Sequence, residues 1–301
     1  MPGPATRLAL LQFAPAAGEL QPNLDRVLDG MRAAAAAGAG ILIAPEMCLT
    51  GWTLPDKALR VRLAAATARV AVPALSEAAR RHSITVVAGG PLPAAGGVGN
   101  CAIALTPAGG RAVHRKLHLF GPEAVWWGPG DHVEVVAAGR AVVGPLICYD
   151  GEFCEVPRML RLAGATVLAV TATNMSPYER DQDVIFAARA LENECVVAVC
   201  NRVGSEGGWR YFGRSLVADA RGNLVAQASQ GEEMLLADVT TAGQCDPVLG
   251  YMAHRRPGIY QMLCGTGHPP DAVAARRTSP AISPLAAEGD RTQARHEEVR
   301  T

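Results

Sequence analysis

Apolar residues fall into short unbroken runs separated by longer amphipathic stretches. Residues 41–44 are a continuous apolar run and 8–13 one broken only by Gln12, the pattern of strands buried on both faces. Between them, residues 23–37 place Leu24, Val27, Leu28 and Met31 on one helical face, and Gly38 and Gly40 close the segment. Residues 56–81 predict a second helix, broken or kinked at Pro73, and 84–88 a third strand. This strand-helix-strand-helix-strand order predicts an α/β sheet. The pattern then changes. Residues 101–105 and 112–116 flank Pro107-Ala108-Gly109-Gly110, a hairpin signal. A long loop over 117–131 carries Trp126 and Trp127, and a loop of that length in a compact domain usually serves function. Strands resume at 133–136 and 141–147.

The second half partly repeats the first. A helix is expected over 155–163, a strand over 166–171, a helix over 180–193 and a strand over 195–200. Residues 211–219, 224–227 and 234–238 predict further strands, with a turn at Ala220-Arg221-Gly222-Asn223. Two halves of similar order predict two sheets packed face to face, with helices outside. The domain is expected to span 1–268. Residues 269–301 are rich in Pro, Ala, Arg, Ser and Glu and lack periodicity, so they are read as a flexible or subunit-docking tail.

Composition narrows the function classes. The 301 residues are 49% hydrophobic, and 28 basic residues balance 28 acidic ones. A net charge of zero argues against a dominant nucleic-acid or membrane-surface role. No apolar run reaches the roughly 18 residues of a membrane span. Eight cysteines in a long chain, with Met1-Pro2-Gly3-Pro4-Ala5-Thr6-Arg7 leading straight into the first apolar run, are expected as reduced thiols in a cytoplasm. No Cys-x-x-Cys occurs, so a metal cage has little support.

Three ionisable residues share a placement. Glu46, Lys116 and Cys148 each close a strand-like run, and in α/β sheets strand ends from distant sequence converge on one crevice. Cys148 read alone is either a small buried core residue or a nucleophile at a strand-to-helix turn. Together the three make a coherent set. Glu46 would take the thiol proton, because the thiolate is the competent nucleophile. Lys116 would face the oxygen that becomes negative on attack, a placement typically worth about 3 to 4 kcal/mol of barrier. Only two of the basic residues are lysines, Lys57 and Lys116. A compact ammonium in so Arg-rich a chain points to chemistry at Lys116, whereas Lys57 fits a solvated helix.

The sequence resembles the nitrilase, or carbon-nitrogen hydrolase, superfamily over about residues 6–265. The matching motifs are Ala44-Pro45-Glu46-Met47 with Leu49-Thr50-Gly51-Trp52, Arg115-Lys116-Leu117-His118-Leu119-Phe120-Gly121, Pro129-Gly130-Asp131, Ile147-Cys148-Tyr149-Asp150 and Phe153-x-Glu155. Ala187-Ala188-Arg189-Ala190-Leu191-Glu192-Asn193 and Tyr211-Phe212-Gly213-Arg214-Ser215 follow. Each is weak alone; their order and spacing are specific. The resemblance implies a four-layer α-β-β-α sandwich and a triad of Glu46 as base, Lys116 as oxyanion-stabilising cation and Cys148 as nucleophile. It implies that the Tyr149 N–H completes the oxyanion hole, and that Glu123 positions the amide or protonates departing ammonia. The implied reaction passes through a thioester and needs no metal or organic cofactor.

Tyr149-Asp150 stands where nitrile hydrolases usually have Trp-Glu, which is similar to the amidase and carbamoyl-hydrolase side. The segments at 116–121, 174–178 and 201–206 are similar to bacterial amidases of aliphatic or amino-acid amides. Basic residues that D-carbamoylases carry after the cysteine are replaced by Gly151-Glu152. The chain also departs from the common pattern at Cys154 and Trp52, which bears on pocket shape.

Trp52, Trp126, Tyr149 and Asn174 are the expected substrate contacts. Trp126 and Trp127 equally fit a covered core edge, and Asn174 a turn cap. Glu152 and Glu155 are expected to pair with Arg158 rather than rim the pocket. His114 and His118 are expected to be structural, and Cys154 a packing residue. The expected protein is a cytoplasmic, cofactor-free amidase acting on a small-molecule primary amide, with a homodimer or higher oligomer as its assembly. The alternatives are an N-carbamoyl amine or nitrile hydrolase and an inactive scaffold.

Overall fold

In the computed structural model, residues 5–94, 97–241 and 248–260 are described. The chain divides into a unit over Met1–Gly258 and a second over Ile259–Thr301. Of the second, only Ile259 and Tyr260 are described, so the tail expected over 269–301 lies outside the described residues.

The first sheet is built from β1 (Thr6–Gln12), β2 (Ile41–Ile43), β3 (Thr85–Ala94), β4 (Gly97–Leu105) and β5 (Arg111–Arg115). The second holds β6 (Val136–Ala138), β7 (Ala141–Ile147), β8 (Val167–Ala172) and β9 (Val196–Asn201). A hairpin of β10 (Val203–Glu206) and β11 (Trp209–Phe212) stands apart from both. β12 (Leu216–Ala218) and β13 (Leu224–Gln227) extend the second sheet, and β14 (Glu233–Val239) returns to the first. The orders are β14-β1-β2-β3-β4-β5 and β13-β12-β9-β8-β7-β6. In each, three parallel strands are flanked by antiparallel ones: β1, β2 and β3 in the first, β7, β8 and β9 in the second.

Strand periodicity explains the layering. Leu8, Leu10, Ile41, Ile43 and Val87 point between the sheets and share one core with Val143, Val167 and Val196. Their neighbours Ala9, Leu11, Leu42, Val86 and Ala88 point the other way, onto Leu24, Val27 and Met31 of α1 (Leu20–Ala36). The second amphipathic stretch is not one helix. It runs as α2 (Lys57–Ala66), one π-helical turn over Thr67–Ala71, and α3 (Val72–His82), so the irregularity expected at Pro73 comes one turn earlier. Pro73 sits in the first turn of α3, where its missing N–H costs nothing. Outside the second sheet, Val156 and Leu160 of α5 (Glu155–Leu162) and Phe186 and Ala190 of α6 (Glu179–Asn193) join the same core. The layers are therefore α-β-β-α.

Three local expectations are corrected. The segment 211–219 is two strands, because Gly213 (φ 67°) and Arg214 (φ 53°) both turn left-handed between them. The loop after Lys116 contains a short helix, α4 (Glu123–Trp126). The strand expected over 133–136 begins at Val136.

Candidate active site

Glu46 follows β2 and is delivered through a tight approach. The backbone of Pro45-Glu46-Met47 lies directly over Gly89 of β3; a Cβ there would meet Met47 N at 2.4 Å and Pro45 O at 2.5 Å. Only glycine allows that approach. Lys116 follows β5, where its N–H bonds the Asn100 carbonyl at 2.9 Å. Cys148 follows β7 as the first residue of a 3-10 turn and has φ 41°. A non-glycine residue there carries strain on the order of 1–3 kcal/mol, held by its surroundings. Arg189 of α6 supplies part of that hold, donating to the Gly151 and Glu152 carbonyls.

The three strand ends meet. Lys116 Nζ lies 2.8 Å from Glu46 Oε1 and 2.6 Å from Glu123 Oε2. Both carboxylates are fully buried and Lys116 is 1% exposed, so the cluster is desolvated. Burial opposes charge on Lys116, but Glu123 and Glu46 outweigh it and lift the ammonium well above its ordinary value. Two carboxylates and one ammonium leave one excess negative charge, and neutral donors hold it. Asn100 Nδ2 donates to Glu46 Oε1 at 2.7 Å and to Glu123 Oε1 at 2.9 Å. Thr173 Oγ1 donates to Glu46, while Trp52 Nε1 and the Phe120 N–H donate to Glu123. Burial still pushes the Glu123 carboxyl up, against the pull of Lys116.

The Cys148 thiol is held neutral. Burial, then the charge of Glu46, push it well above its ordinary value, against Lys116. Its hydrogen bond runs to Asn174 Oδ1 at 3.0 Å, while Asn174 Nδ2 donates to Gln182. Asn174 thus aims the thiol as well as facing the cavity. That cavity has a volume of about 230 Å³, roughly the space of seven or eight waters. Lys116 and Cys148 form its floor, and Trp52, Phe120, Tyr149, Asn174 and Tyr178 line it with Glu152 and Asp181.

Of the expected substrate contacts, Trp52, Tyr149 and Asn174 line this cavity. Trp126 does not; it stands behind, edge-on to Trp52 with ring centroids 5.6 Å apart. Glu152, expected to pair with Arg158, faces the cavity instead, and Arg158 contacts Met252. His114 and His118 both hold Asp150, at 2.8 and 3.0 Å. Asp150 also accepts from the Leu117 and His118 N–H groups, so it ties the lysine loop to the cysteine turn. Burial alone would raise the Asp150 carboxyl, but the bonds from His114 and His118 bring it down to about 2.

Sequence reasoning missed Asn100, Thr173, and a brace formed by Arg202 and Glu206. Glu206 accepts from the Trp52 and Thr53 N–H groups and pairs with Arg202, whose guanidinium lies 4.2 Å from the Tyr211 ring centroid. Asn100 had one visible signal, a polar residue directly before the apolar run at 101–105. Among the described residues no cluster of side chains could hold a metal ion, and no helix is long and apolar enough to cross a membrane.

Comparison with known proteins finds relatives over most of this chain. The carbon-nitrogen hydrolase family model matches residues 7–244. A Pseudomonas protegens protein described as a hydrolase in the pqqF 5′ region is 33% identical, over 85% of this chain and 91% of its own. An (R)-stereoselective amidase of a Pseudomonas species is 32% identical, over 75% and 82%. The solved structure of an amidase from a Nesterenkonia species superposes with a TM-score of 0.77 at 26% identity, over 87% of this chain and 98% of that one.

Proposed function

The chain belongs to the carbon-nitrogen hydrolase family, as an enzyme of the amidase type, and on that footing we propose that it cleaves a small primary amide, aliphatic or amino-acid-like, to carboxylate and ammonia through a thioester on Cys148. The observation that carries this reading is one ammonium, Lys116, clamped between Glu46 and Glu123 on the floor of the cavity that holds the thiol.

In the reaction we propose, the amide carbonyl carbon sits against Cys148 Sγ. The neutral thiol needs a base at the moment of attack, and Glu46 takes its proton as the S–C bond forms. The carbonyl oxygen becomes an oxyanion beside Lys116 Nζ and the Tyr149 N–H, donors fixed before the substrate arrives. Glu123 holds the amide nitrogen. As the C–N bond breaks, Glu46 returns the proton and ammonia leaves. A water then attacks the thioester, giving its proton to Glu46, and the thiol is restored as the acid departs. No metal or organic cofactor enters these steps. Exposed apolar residues on α5 and α6, Met159, Leu162, Val184 and Leu191, support assembly as a homodimer or larger oligomer. The enzyme is proposed to work in the cytoplasm.

The test is ammonia release from primary amides, N-carbamoyl amines and nitriles, with Cys148→Ala as control, and intact-mass detection of an acyl adduct. Release from amides alone, lost in the variant, is expected, with an adduct of acyl mass. Release from nitriles or carbamoyl compounds alone overturns the amidase assignment. Silence throughout returns the protein to a scaffold role. Sedimentation as a monomer would remove the oligomer.

A further inference from the structure

The cavity walls above the triad carry charge of one sign. Glu152 ends the turn that begins at Cys148, and Asp181 lies in the first turn of α6; both line the cavity. Neither carboxylate has an ion-pair or hydrogen-bond partner among the described residues. The Arg189 guanidinium, which faces the same turn, is occupied by the Gly151 and Glu152 carbonyls and by Glu192. Burial and then Asp181 push the Glu152 carboxyl up, with Lys116 and Arg189 acting against them. A cation between the two carboxylates would relieve this. The rest of the lining is partly aromatic, with Trp52, Phe120, Tyr149 and Tyr178 beside polar side chains such as Asn174 and Gln182. Carboxylates beside aromatic rings are the surroundings an ammonium group prefers. An anionic substituent would find the opposite, because the lining's only lysine is bound to Glu46 and Glu123.

We infer that Glu152 and Asp181 bind a protonated amine on the acyl group, so that the preferred substrates are amino amides rather than neutral or carboxylated ones. The inference rests on the amidase reading and narrows it. The nucleophile fixes where the amide lies, and the acidic wall sets what the rest of the molecule carries. Asp181 also gains from the N-terminal dipole of α6, a role that would not depend on the substrate's charge. The test separates the two.

The experiment measures kcat/KM for ammonia release by the full-length enzyme on matched amides. Alaninamide is paired with lactamide, β-alaninamide with butyramide, and γ-aminobutyramide with valeramide; succinamate is the anionic probe. At least one amino amide should exceed its neutral partner by about tenfold or more, with succinamate slowest. Asp181→Asn and Glu152→Gln should each lower that ratio by about tenfold, through KM. For alaninamide the wild-type preference should fall as pH rises past about 8, where an α-amino group loses its proton. This readout needs no variant. Neutral amides equal to or better than all three amino amides would overturn the inference and leave the amidase reading standing. So would a ratio that ignores both substitutions. Ammonia from nitriles or carbamoyl compounds but from no amide, neutral or charged, would fell the amidase reading and the inference with it.

Discussion

Asn100→Leu removes one side-chain amide and nearly no volume, which isolates the donor role from packing. One Nδ2 group serves both carboxylates, Glu46 at 2.7 Å and Glu123 at 2.9 Å. A hydrogen bond to a charged acceptor typically contributes about 1.5 to 3 kcal/mol, so the pair contributes about 3 to 6 kcal/mol to holding two like charges across one ammonium. With that donor gone, the excess negative charge is most cheaply cancelled by a proton. Glu123, already pushed up by burial, is where it goes. If about half of the loss reaches the transition state, kcat/KM falls by about 10²-fold, or ~2.7 kcal/mol. The pH profile should move as well. Activity needs the carboxylates ionised, and removing a donor to the charged form raises the pH at which protonation sets in. The acid limb therefore shifts upward, by about one unit for each 1.4 kcal/mol lost. The assay is kcat/KM on the best amide from roughly pH 5 to 9, with urea unfolding as a check on the fold. A folded Asn100→Leu enzyme within about threefold of wild type, with an unmoved acid limb, would refute the reasoning.

Lys116→Met leaves two buried carboxylates facing each other without their cation. It should cost about 3 to 5 kcal/mol in urea unfolding and abolish turnover; an unchanged midpoint would sink the idea that the ammonium is charged at rest. For Asp150→Asn the sign follows from a lowered carboxyl. A group at about 2 when folded, against 3.8 for an ordinary aspartate, contributes ~2 kcal/mol that is present above about pH 4 and lost as pH falls toward 2. The stability gap between wild type and Asp150→Asn should narrow over that window, and a gap constant with pH would contradict it.

Much of this was legible in the sequence because its physics is local. Continuous apolar runs marked the parallel strands of both sheets, and residues 141–147 and 224–227 match β7 and β13 end to end. The repeat of strand and helix gave the layers. What escaped was short or distant. β10 has four residues, with Gly204 and Ser205 exposed, so no apolar run announces it. α4 is one turn long and shows no periodicity. Asn100 and Thr173 act across 54 and 127 residues of chain, a relation no local pattern carries. Glu152 was expected to pair with Arg158, but it precedes α5 and belongs to the cysteine turn, and it lines the cavity.

The triad's wiring crosses the gap between the two sheets. Glu46, Lys116 and Asn100 hang from the first, and Cys148, Thr173 and Asn174 from the second. The Thr173 bond to Glu46 and the Asp150 bonds to the lysine loop join them. Neither half owns a working centre. Turnover is thus a gauge of docking: a partly unfolded state that keeps its strands and helices but parts its sheets falls silent while its circular dichroism still looks native. The same seam forbids piecemeal repair. A substitution that shifts one sheet by a fraction of an ångström must be answered from the other, so the two halves are bound to change together.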